Sequence, residues 1–188
     1  MNTNATNGKI VDKTIRFTWA ALILAILFFI LPQSGHADTL HVTDDSYARM
    51  ANATNYGTNA ALVVDNTTAT NYRALARFDV STLSGSSTDI AAAKLRIYAA
   101  SVANAGYINV YQVTGNWVES TVSGTIFPTF SAAPTATSTL IPTTGGNEYY
   151  TIDITALVKG WTDGTIANHG ITLTSSPTDH VNLVLNSK

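Results

Sequence analysis

The stretch RALARFDV, residues 73–80, alternates along its length. Ala74, Ala76, Phe78 and Val80 fall on one side of an extended chain, and Arg73, Leu75, Arg77 and Asp79 on the other. A period of two is that of a β-strand with one buried face, because successive Cβ atoms point to opposite sides. The stretch therefore predicts a strand that lays Phe78 and Val80 on a core. It also sets two guanidinium groups on the opposite face, in a chain that is only 12% charged. That face is either a binding surface or the solvated outside of a sheet.

The same alternation recurs downstream. In AKLRIYA (93–99) Leu95 and Ile97 oppose Lys94, Arg96 and Tyr98. In YINVYQV (107–113) Ile108 and Val110 oppose Tyr107, Asn109 and Tyr111. In YYTIDI (149–154) Tyr150, Ile152 and Ile154 oppose Tyr149, Thr151 and Asp153. Strands are predicted over Leu40–Val42 with Ser46–Met50, Ala61–Asp65, Arg73–Val80, Ala92–Ala100, Tyr107–Val113, Tyr149–Ile154, Gly170–Thr174 and Val181–Leu185. Between them lie turn clusters such as NATNYGTN (52–59), NTTATN (66–71), STLSGSSTD (81–89), SVANAG (101–106) and SSPTD (175–179).

TALVKGWTDG (155–164) reads as one short helical turn, capped by Thr155 and ended by Gly160 or Gly164. Residues 121–147 read as a long loop with an edge strand at Thr139–Ile141, since Pro is confined to edges and loops. Many short strands at even spacing predict an all-β protein, an antiparallel β-sandwich of jelly-roll type.

If these strands share one sheet, Arg73, Arg77, Lys94, Arg96, Tyr98, Tyr107 and Tyr111 form a single basic, aromatic face. The first 37 residues differ from the rest. Lys9, Lys13 and Arg16 precede the uncharged run FTWAALILAILFFIL, and Gly35 and Ala37 supply small residues before Asp38. This is the pattern of a secretory signal peptide, cut between Ala37 and Asp38. Residues 38–188 are then an exported domain, extracellular or at the cell surface, with a membrane contact only through an uncut leader.

Losing the leader takes the formal charge from −2 to −4. That disfavours nucleic acid, which needs a net basic surface. Four of the seven remaining cations sit on two of the predicted strands. Without cysteine there is no disulfide framework and no thiolate metal site, so the core must hold the fold.

Six segments in this order, NYGTNAALVV (55–64), RALARFDVSTL (73–83), AAAKLRIYA (91–99), VYQVTGNWVESTV (110–122), YYTIDITALVKGW (149–161) and NHGITL (168–173), resemble the DNRLRE-domain family, a group like carbohydrate-binding module family 96. The resemblance covers about Tyr47 to Lys188. It implies a jelly-roll β-sandwich, partnership with extracellular polysaccharide lyases and surface proteins, and in some members binding of acidic polysaccharides such as alginate. The matching positions are Asn55, Tyr56, Gly57, Arg73, Arg77, Phe78, Asp79, Lys94, Arg96, Tyr98, Trp117, Glu119, Asp153, Thr155 and Trp161. This chain departs from the family at Ser123 and Gly124, where a second tryptophan is usual. It also ends at Lys188, short of the family's usual last strand, which predicts an open sheet edge and self-association.

On chemistry, Arg73, Arg77, Lys94 and Arg96 suit uronate carboxylates, which a guanidinium fork engages in pairs. The alternative is a solvated outer face. Tyr98, Tyr107 and Tyr111 suit stacking on sugar rings, or plain cross-strand packing. Tyr56, Gly57, Phe78, Trp117, Glu119, Asp153 and Trp161 read as structural, with Trp117 and Trp161 as plugs and Glu119 accepting loop N–H groups. Asp38, Asp44, Asp45 and Asp153 offer hard oxygens for a structural Ca²⁺, without an EF-hand spacing; no other cofactor is expected.

His36, His41, His169 and His180 are scattered, and no motif for a nucleophile or a phosphate loop is present. Glu119 and Glu148 are the only glutamates, with nothing in the sequence to pair them for glycoside hydrolysis. The N-x-T triplets at Asn4, Asn52 and Asn66 are expected by chance in so Asn- and Thr-rich a chain, and the resemblance is to bacterial proteins. The expectation is a secreted, non-catalytic module for an acidic polysaccharide. A structural or adhesion domain is the alternative, and a lyase using Tyr and Arg comes last.

Overall fold

Nine strands form in the computed structural model, which describes residues 37–67, 70–178 and 180–188. The expected leader, with Lys9, Lys13 and Arg16, lies outside the described residues, as do His36, Asn4 and parts of the turns at 66–71 and 175–179. The strands are β1 (Val42–Arg49), β2 (Ala61–Asp65), β3 (Tyr72–Phe78), β4 (Lys94–Asn104), β5 (Gly106–Gln112), β6 (Thr139–Ile141), β7 (Glu148–Asp153), β8 (Ile171–Ser175) and β9 (Asn182–Asn186). One helix, α1 (Thr155–Asp163), and a 3₁₀ turn at Ser87–Asp89 complete the described elements.

All pairings are antiparallel. They fall into two layers. The first runs β1-β3-β8-β5-β6 and the second β2-β9-β4-β7. A single pair, Asp65↔Tyr72, joins them where β2 turns into β3. Both layers turn apolar faces inward. Ala74, Phe78, Ile108, Val110, Ile171 and Leu173 of the first meet Leu62, Val64, Leu95, Ile97, Ile152, Leu183 and Leu185 of the second in one core. The fold is the all-β sandwich that the period-two pattern requires.

Local chemistry sets the remaining elements. SVANAG does not turn as a unit, because β4 runs through Asn104 and pairs its last residues with β9 across two register shifts. Partner strands here outweigh the turn preference of Ser and Asn. Helix α1 is nine residues rather than one turn. Thr155 is inside it, and the Asp153 carboxylate accepts the Thr155 N–H at 2.9 Å and its hydroxyl at 2.6 Å. Gly164 ends it with φ of +73°. Gly160 sits mid-helix, where any larger residue would press on Ile166. The helix buries Leu157, Val158 and Trp161 against the core, with Trp161 stacked 6.4 Å from Phe78.

Candidate functional site

The strand pairing divides the seven predicted binding residues. Arg73, Arg77, Tyr107 and Tyr111 lie on the first layer, and Lys94, Arg96 and Tyr98 on the second. They do not form one face. The expectation of a single surface required β3 and β4 to share a layer. The interior position of β9 between β2 and β4 prevents this.

On the first layer, the outward side of β3 is not open. Leu75 points away from the main core yet is fully buried, in a second small core with Val113, Trp117, Val122 and Phe127. The segment 113–130 lies over the strand and brings these residues. Two arginines hold it there. Arg77 donates through Nη2 to the Trp117 carbonyl at 2.6 Å, lies 4.7 Å from the Trp117 ring and reaches Asp44 at 3.7 Å. Arg73 lies 5.2 Å from the Phe130 ring and 5.9 Å from that of Phe127, within reach of a cation–π attraction. Burial pulls the Arg73 guanidinium below its ordinary pKa, though it stays charged. Tyr111 meets Phe130 edge-on at 5.4 Å. Tyr107 alone of this group is exposed.

Further contacts fasten the same segment. Trp117 is 6% exposed and donates Nε1–H to the His169 carbonyl at 2.8 Å. Asn55 donates to the carbonyls of Glu119 and Val122, each at 2.7 Å. Gly57 packs so tightly on Glu119 that a Cβ would overlap its backbone. Glu119 accepts the Asp45 N–H at 3.2 Å and pairs with Lys188 at 2.6 Å. Tyr56 stacks on Tyr47 at 4.4 Å.

The outward side of the second layer is different. Lys94, Arg96, Tyr149, Thr151 and Asp153 are exposed there and Tyr98 is half-buried. The register sets Lys94 opposite Asp153, Arg96 opposite Thr151 and Tyr98 opposite Tyr149. Tyr98 and Tyr149 meet edge-on at 4.8 Å, and the Arg96 guanidinium lies 3.7 Å over the Tyr149 ring. Among the described residues, no carboxylate pairs with Arg96. Its charge is held by an aromatic face and left available. Sequence reasoning omitted Tyr149, although alternation put it beside Thr151 and Asp153. Its value depends on the cross-strand register, which places it against Arg96 and Tyr98.

Lys94 donates to Asp153 at 2.5 Å. This bond and those from Thr155 hold the Asp153 carboxyl well below the usual range. A depressed folded-state pKa stabilises the protein above the unfolded value of about 3.9, and the contribution is lost as pH falls through the lower folded value. Asp153→Asn is therefore expected to melt slightly lower than the parent at pH 7. That gap in Tm should narrow steadily below about pH 3.9. A gap independent of pH, followed by circular dichroism, would contradict the assignment.

No three His, Asp or Glu side chains gather as a metal site among the described residues. Asp44 reaches Arg77, Asp45 accepts from Ser187 and Lys188, and Asp153 is engaged with Lys94 and Thr155. Glu119 pairs with Lys188, while Glu148 accepts from Tyr150 at 3.2 Å on β7.

No curated protein matches the chain. The profile of carbohydrate-binding module family 96 matches residues 36–188, which span both layers, the covering segment and the exposed β4–β7 face. The chain belongs to carbohydrate-binding module family 96.

Proposed function

We propose that this chain is a secreted, non-catalytic module that binds an acidic polysaccharide through the outer face of β4 and β7. The supporting observation is Arg96, exposed, laid over Tyr149 and without a carboxylate partner among the described residues. A guanidinium on an aromatic ring keeps its N–H edges outward, and those edges match a uronate carboxylate. Tyr149, 56% exposed, and Tyr98 beside it offer ring surface for the sugar. Lys94 already has Asp153, so it adds less. Binding of this kind rests on an exposed charge and weakens with salt.

The test is affinity electrophoresis of the chain in gels holding alginate, pectate, hyaluronan or a neutral glucan, each mobility taken relative to a glycan-free gel. Retardation is expected in at least one acidic gel and not in the neutral one. Arg96→Glu should abolish it, a loss of roughly tenfold or more in affinity, since charge-assisted hydrogen bonds contribute about 1.5–3 kcal/mol. Tyr149→Ala should weaken it. Unchanged retardation of Arg96→Glu would remove this face as the site.

One observation favours a second reading, a structural or adhesion domain. Among the described residues β7 pairs only with β4, so within them its outer edge is a row of backbone groups open to another chain. No retardation in any gel, with self-association seen by light scattering, would support that reading instead. Ultraviolet absorbance of unsaturated products from any of the glycans would establish a lyase and overturn both.

A further inference from the structure

At the end of the sandwich where β1 finishes and β2 turns into β3, Arg49, Met50, Asn66, Thr67, Thr70, Asn71 and His180 line a cleft of about 390 Å³. That is in the size range of small-ligand sites, about 300–1,000 Å³. Such sites are usually lined by apolar groups. This one presents a guanidinium, two carboxamides, two hydroxyls and an imidazole beside Met50. The ligand that matches is largely hydroxylated and carries a negative charge.

Three of the polar side chains, Thr67, Thr70 and Asn71, are held by hydrogen bonds before any ligand arrives. The buried Asp65 carboxylate accepts the Thr67 N–H at 2.8 Å, the Thr67 hydroxyl at 3.3 Å and the Thr70 hydroxyl. The two hydroxyl oxygens are 3.0 Å apart. Each hydroxyl has one proton, and both protons are used inside this turn, so their free lone pairs are what the cleft is offered. Asn71 accepts from Arg73 Nε at 3.4 Å through Oδ1, which leaves its amide protons as donors.

Arg49 is exposed and, among the described residues, pairs with no carboxylate. The backbone that carries it is fixed in place. The next N–H, of Met50, donates to Asn71 O at 2.8 Å, and that of Ala51 to Gly124 O at 3.2 Å. Ala51 holds φ of +64°, a region an alanine rarely occupies. Backbone of this kind persists only where its surroundings over-determine it. Gly124 supplies part of that support, because a Cβ there would overlap the Arg49 carbonyl oxygen. The departure at Ser123–Gly124 thus lets segment 113–130 come against the turn that carries Arg49.

We infer that this cleft is a second saccharide site, separate from the β4–β7 face, that takes one or two uronate units. Arg49 grips the carboxylate, the Asn71 amide donates to sugar oxygens, and the Thr67 and Thr70 oxygens accept from sugar hydroxyls. The inference rests on the reading that the module takes an acidic polysaccharide, but it uses a different set of residues.

The test is titration of the isotopically labelled full chain with tetramers of mannuronate, guluronate and galacturonate, followed by amide chemical shifts. At least one tetramer should move the amides of Met50, Asn66 and Asn71. Arg49→Ala should weaken that response roughly 10- to 100-fold, the loss of a charge-assisted pair. Arg49→Lys, which keeps the charge and loses the fork, should recover only part of it. Shifts at Arg96 and Tyr149 with none at the cleft, or an Arg49→Ala response equal to the parent's, would overturn the cleft and leave the β4–β7 face standing. Shifts at the cleft with none on the face would do the reverse. No shift from any tetramer would overturn both.

Discussion

Trp117→Ala is expected to cost about 3–5 kcal/mol of stability, read as a fall in the urea midpoint, the range for deleting a buried large aromatic. Trp117 centres the small core over β3, with Leu75, Val113 and Val122 around it. Its truncation leaves a cavity, uncovers Leu75 and strips the ring from beneath Arg77. It also leaves the His169 carbonyl without the indole donor. Trp117→Phe keeps most of the volume and loses that hydrogen bond, so it should cost about 1–2 kcal/mol, the upper range for a lost partner. A loss below about 1 kcal/mol for Trp117→Ala would mean that segment 113–130 unfolds separately from the sandwich. Glycan retardation through Arg96 should survive the substitution under native conditions, since the two sites lie on different layers.

Arg77→Glu and Arg96→Glu change the formal charge equally and are expected to act in opposite ways. Arg77 is partly buried, bonded to a carbonyl and laid over an indole. A glutamate there loses a charged hydrogen bond of about 1.5–3 kcal/mol and a cation–π contact of about 0.5–2 kcal/mol. It also sets a carboxylate against the Trp117 carbonyl and Asp44. With the discount due to partial exposure, a loss of about 3 kcal/mol is expected. Arg96→Glu gives up only an exposed ring contact and should change stability by less than about 1 kcal/mol while removing glycan retardation. Thermal melts of both variants beside their gel mobilities separate the two roles. An Arg77→Glu protein as stable as the parent would show that Arg77 does not hold the loop.

Much of the fold was legible because the signal is local. Leu95, Ile97, Ile108, Val110, Ile152 and Ile154 alternate with polar residues, and a buried layer needs that period. Thr139–Ile141 was legible as a strand because prolines flank it and keep it at an edge. The length of α1 was less so, since Gly160 reads as a stop until Ile166 is found packed on it. The end of β4 failed for a related reason. Ser101–Asn104 carries turn residues, and only the distant β9 makes a strand of them.

The site divides along the same line. Alternation fixed which side of its own strand each of Arg73, Arg77, Lys94, Arg96 and Tyr98 occupies. It said nothing of which strands are neighbours, or of what lies over a face. Leu75 carried the missing hint, an apolar residue on the side otherwise taken by Arg73 and Arg77. Its cover comes from Trp117 and Val122, more than forty residues later in the chain. By itself, then, the sequence determined most of the strands, their inward faces and the family, because period and motif order are properties of neighbouring residues. Only the tertiary structure decided that one arginine pair clasps a loop while Arg96 rests on Tyr149 in the open. Pairing order and loop packing join residues far apart in the chain, and no local period encodes them.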